Sequence, residues 1–67
     1  MANTVILTTC EEFRQLGINV AHSIHWYESQ NIFGSFIDLY VKDHGEDAEK
    51  IAEFVAAFDS GFNSVNK

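Results

Sequence analysis

Apolar residues recur every three or four positions through the last third of the chain: Ala48, Ile51, Ala52, Phe54, Val55, Phe58, Phe62 and Val65. Wound at about 100° per residue, they form one broad arc, with Glu49, Lys50, Glu53, Ala57 and Ser60 opposite. The spacing predicts a long amphipathic helix over Glu46–Val65. Glu46, Asp47 and Glu49 crowd its first turn, where free N–H groups favour negative charge. Gly45 breaks whatever precedes it, and Gly61 marks where the helix frays or ends.

The rest of the chain patterns less regularly. Thr4–Thr8 has the β-branched composition of a short strand. Thr8–Glu11 and Thr9–Glu12 both have capping-box spacing, which predicts a short helix that buries Cys10, Phe13 and Leu16 and stops near Gly17. Ile18–Glu28 can be read two ways. With period 2, Ile18, Val20, His22, Ile24 and Trp26 share a face; with helical period, Phe13, Val20, Ile24 and Tyr27 form a stripe. The strand-favouring residues and the break at Gly17 tip the reading towards strand. Ser29–Ile32 then supplies a polar turn. Phe33–Lys42, where Ile37, Leu39 and Val41 alternate with Asp38, Tyr40 and Lys42, gives a second strand pairing with the first as an antiparallel hairpin. The expected fold class is α+β: a small antiparallel sheet (hairpin, with Thr4–Thr8 as an optional third strand) packed on the C-terminal helix, plus a short N-terminal helix.

A chain of 67 residues makes one domain, spanning 1–67, with a thin core. At 46% hydrophobic residues with six Phe, it is too apolar to stay disordered. No apolar run approaches the roughly 20 residues of a membrane span, and the N-terminus lacks signal-peptide character, so a cytoplasmic protein is expected. One cysteine allows no internal disulfide. Ten acids against four Lys and Arg give a net charge of −6, which argues against direct binding to nucleic acid or to anionic membranes and in favour of a basic protein partner.

No motif specifies a reaction. His22 and His25 lack metal-ligand spacing with Cys10 or His44, and on a strand they would face opposite ways. Cys10 sits among Glu11 and Glu12 and reads as a small apolar residue rather than a nucleophile. The expectation is no enzyme activity, no cofactor and no metal. What remains is surface: Asp38, Asp43, Glu46, Asp47, Glu49, Glu53 and Asp59 cluster in one third of the chain, with Tyr27 and Tyr40 on the sheet's second face. Asp43, Glu46, Asp47, Glu49 and Glu53, then Tyr27, Asp38 and Tyr40, are the candidate partner-binding residues, acids for steering and aromatics for buried area. Alternatively the aromatic face is a homodimer contact in a non-enzymatic structural or regulatory module.

The run EFVAAFDSGFN, Glu53–Asn63, resembles the terminal helix of some small phage-encoded anti-CRISPR proteins, in which a helix of this pattern follows a small antiparallel sheet. Phe54, Val55, Ala57, Phe58, Gly61, Phe62 and Asn63 fill the pattern. The resemblance implies an inhibitor from a phage or mobile element, acting in the cytoplasm of a bacterial host, that covers a basic nucleic-acid-binding surface of a defence complex. The strongly acidic strand-and-loop region that imitates DNA phosphates in such inhibitors has no counterpart in the nearly uncharged Ser29–Gly34.

Overall fold

Three helices make up the described part of the computed structural model, which covers residues 6–23 and 29–65: α1 (Cys10–Ala21), α2 (Ser29–His44) and α3 (Ala48–Val65). Helix α1 starts at a capping box. Thr9, in extended conformation, accepts the Glu12 N–H on its hydroxyl at 3.2 Å, and Glu12 Oε1 accepts the N–H of Thr9 at 3.2 Å and of Thr8 at 2.9 Å. Three otherwise orphaned donors are satisfied this way, so of the two capping spacings in the sequence the Thr9 one is used. Helix α2 ends at Gly45, whose φ of +88° suits only a residue without Cβ and whose N–H closes on the Val41 carbonyl at 2.8 Å. Asp47 then opens α3: its side chain accepts the Lys50 N–H at 3.2 Å and its carbonyl the Ile51 N–H at 2.9 Å.

Helices α1 and α3 run parallel. Cys10 lies against Glu53, Phe13 stacks on Phe54 with ring centroids 4.4 Å apart, and Gly17 meets Phe58 and Phe62. Helix α2 lies over this pair and touches it through rings: Phe33 reaches Phe58 at 4.9 Å and Phe13 at 5.6 Å, and Tyr40 reaches Phe54 at 5.0 Å. The core is aromatic: Phe13 and Phe54 are fully buried, with Val20, Tyr40 and Phe58 nearly so. Each such ring contributes about 1.5–3 kcal/mol by leaving water.

The expected α+β fold is not what forms. Among the described residues there is no strand, and so no sheet and no hairpin. Phe33–Lys42 lies inside α2, where Phe33, Phe36, Ile37 and Tyr40, spaced i, i+3, i+4, i+7, all reach the core. A hairpin would have split those four between two faces, and a two-stranded ribbon is marginal without further support. Residues 29–32, expected as a turn, are the first turn of α2. Of Ile18–Glu28, residues 18–21 continue α1, and residues 24–28 lie outside the described part. Residues 6–8 have no regular structure; Thr4 and Val5 lie outside.

Neither Gly17 nor Gly61 ends a helix; both are buried inside one. A Cβ on Gly17 would collide with the Phe58 carbonyl oxygen and come within 2.8 Å of the Phe62 nitrogen. A Cβ on Gly61 would collide with the Arg14 carbonyl oxygen and sit 2.9 Å from its carbon. The two glycines let the backbones touch, which offsets the roughly 1 kcal/mol that glycine costs a helix relative to alanine. On α3 the buried stripe is narrower than the apolar arc: Ala48, Ala52 and Val55 are exposed, while Ala57, on the expected polar side, packs against the core.

Candidate functional site: an acidic end of the bundle

Parallel α1 and α3 start at the same end of the molecule, and α2 finishes there because only residues 45–47 join it to the start of α3. Three sets of acids therefore share that end. Helix α1 brings Glu11 and Glu12 in its first turn; α2 and the following loop bring Asp43, Glu46 and Asp47; α3 brings Glu49 and Glu53. All seven are exposed. Against them stand Arg14, Lys42 and Lys50.

Two of those cations are already engaged. Arg14 forks onto Glu11 at 2.6 Å and 3.1 Å, and Lys50 Nζ stands 3.9 Å from Glu53 Oε1 while lying 6.0 Å over the Phe54 ring. The Arg14 hydrogen bond, reinforced by its charge, holds the Glu11 carboxyl below the usual carboxylate range. The Thr8 N–H, with Thr9 behind it, does the same for Glu12. Both stay ionised to lower pH than free carboxylates. His44 stacks on Tyr40 at 4.6 Å and points Nδ1 at Asp43 Oδ2, 3.4 Å away.

The structure sorts the candidate residues. Asp43, Glu46, Asp47, Glu49 and Glu53 come together at this end, and Asp47 doubles as the cap of α3. Asp38 is exposed on α2, further from the end. Tyr40 is 7% exposed and wedged between Phe54 and His44, so its ring is core and offers no contact surface. Tyr27 lies outside the described residues. Glu11 and Glu12 belong to the cluster although their spacing signalled only a helix start. The missing information was the parallel pairing of α1 with α3, which rests on two glycines that read as helix ends.

Of the residues weighed for metal or nucleophilic chemistry, His25 lies outside the described residues and the others are spread out. Cys10 opens α1, half-buried beside Glu53, while His22 caps the far end of the same helix. Among the described residues no group of three His, Cys, Asp or Glu side chains is placed to hold a metal ion, and no helix is long and apolar enough to cross a membrane.

No known protein family, curated protein or solved structure matches this chain. The anti-CRISPR resemblance rests on Glu53–Asn63 with the chain's small size and acidity. Within that run Phe54, Phe58 and Gly61 are buried packing positions, and the helix follows two helices instead of a sheet.

Proposed function

We propose that this protein is a non-enzymatic binding protein whose acidic end docks on a basic surface of a partner, in the manner of a nucleic-acid mimic. The observation that carries the reading is that seven exposed carboxylates, from three segments, lie at the end of the bundle where α1 and α3 begin. Such a surface steers towards Lys- and Arg-rich partners and competes with phosphates for the same cations. A nucleic-acid-processing complex offers a surface of that kind, and blocking it would inhibit the complex. That the complex belongs to a bacterial host's defences, CRISPR above all, is supported by the short resemblance in α3.

The homo-oligomer alternative has less support, because the described residues form no sheet face to carry it and Tyr40 is buried. A net charge of −6 further opposes self-association through the acidic end.

The test is capture of partners from a bacterial lysate by tagged protein, washed at low and at high salt. The reading expects one dominant basic nucleic-acid enzyme at low salt, weakened as the Debye length falls from about 10 Å at 0.1 M to about 3 Å at 1 M. The double reversal Glu49→Lys with Glu53→Lys should abolish the capture and leave the helical circular dichroism unchanged. Undiminished capture by that variant would sink the electrostatic mechanism.

A further inference from the structure

Beside the acidic end, α1 and α2 leave a groove of about 320 Å³ that no part of the described chain fills. Its floor is apolar: Leu7, Leu16 and Phe36, all half-buried. Its rim is Glu11, Glu12, Gln15 and Asn19, all exposed. These rim residues lie on the side of α1 turned away from α3, which meets Phe13 and Gly17 instead.

We infer that this groove receives an apolar side chain from a cationic amphipathic segment of a protein partner. Three observations select that occupant. The volume sits at the small end of the roughly 300–1,000 Å³ of ligand pockets, and the groove is open to solvent, so it cannot enclose a free small molecule. A side chain carried on a partner's surface needs no enclosure, because its neighbours seal the rim. The rim then chooses the sign: no Lys or Arg lines the groove, and of its two carboxylates Glu11 is forked by Arg14 while Glu12, held by backbone N–H groups, has no described cation against it. A second copy of this chain is a poor occupant. It carries net charge −6, and two of its three described cations, Arg14 and Lys50, already face carboxylates.

The inference rests on the reading that the partner is basic, and it adds a recognition element: charge brings the partner to the acidic end, and one apolar anchor fixes its register. Helix-in-groove recognition works this way, with anchors at i, i+3 or i+4 flanked by charges.

The experiment titrates the ¹⁵N-labelled protein with two synthetic peptides of about 12 residues, long enough for one amphipathic face. One has Leu at helical spacing between lysines, and the other has every Leu changed to Ser. The expected result is amide shifts at Leu7, Gln15, Leu16, Asn19 and Phe36 with the leucine peptide, and at least about tenfold weaker binding of the serine peptide, the scale of losing one buried anchor. The variant Gln15→Lys with Asn19→Lys, two exposed helix positions, should lose about the same factor. If both peptides bind equally, with shifts confined to Asp43–Glu53, the groove inference is overturned and the acidic-end reading survives. If neither binds, both fall. Concentration-dependent shifts in the groove without peptide would overturn it in favour of self-association.

Discussion

Helices α1 and α2 each pack against α3 by different means, and the contrast accounts for both the stability and the surface. The α1–α3 seam brings backbones together: at Gly17 and Gly61 a carbonyl of one helix occupies the space where the other would carry a Cβ. Helix α2 makes no such approach. It reaches the core through the long rings of Phe33, Phe36 and Tyr40, and Gly34 has nothing within 4 Å of its would-be Cβ. A backbone contact cannot yield, so it fixes direction and register. A layer of rings can shift and leaves gaps. The seam sets which acids share an end of the bundle; the α2 flank leaves the groove.

The seam should be the easiest place to destroy the fold. Overpacking costs about 1–3 kcal/mol and more where backbone must move. A domain of this size is stable by only about 3–10 kcal/mol. Gly61→Val, which pushes two further methyl groups towards the Arg14 carbonyl, is therefore expected to unfold the protein, read as loss of a cooperative thermal transition. Next come the rings. Phe54→Ala should cost about 3–5 kcal/mol in urea titrations, and Phe33→Ala less, because Phe33 is only partly buried. Equal losses would show that α2 is held as firmly as the seam.

The helix start comes next: Thr9→Ala removes one half of the capping box and should cost about 1 kcal/mol. The smallest effect is in acid. The folded pKa of Glu12 is lowered, mainly by the Thr8 N–H. Its contribution is thus full above the ordinary carboxylate pKa and is lost as pH falls through the lowered value. Glu12→Gln should flatten the fall in urea midpoint over that acidic window and leave the shape unchanged at higher pH.

How much of this the sequence disclosed follows the same division. The start of α1 was legible because Thr9 and Glu12 act locally, and α3 was legible because its apolar period is long and regular. Helix α2 was misread because Ile37, Leu39 and Val41 alternate like a strand, while the stripe Phe33, Phe36, Ile37, Tyr40 carries the same information at helical spacing. Burial against Phe13 and Phe54 decided between them, and that is a tertiary fact. Gly17 and Gly61 were misread for a related reason: a glycine reads as a helix breaker until the partner backbone that needs it is known. The acids of α2 and α3 could be named as candidates from their clustering along the chain. Their meeting with Glu11 and Glu12 could not, since it depends on the seam.

The most direct measurement is urea unfolding of Gly17→Ala beside Gly34→Ala, the same single methyl placed on the seam and on the flank. Gly17→Ala should destabilise by about 1–3 kcal/mol, because backbone atoms of Phe58 and Phe62 stand in the way. Gly34→Ala should stabilise by about 0.5–1 kcal/mol, the gain of alanine over glycine in an unobstructed helix. Opposite signs confirm a backbone seam and an open flank. A stabilising Gly17→Ala would contradict the parallel contact of α1 with α3, and the acidic end built on it.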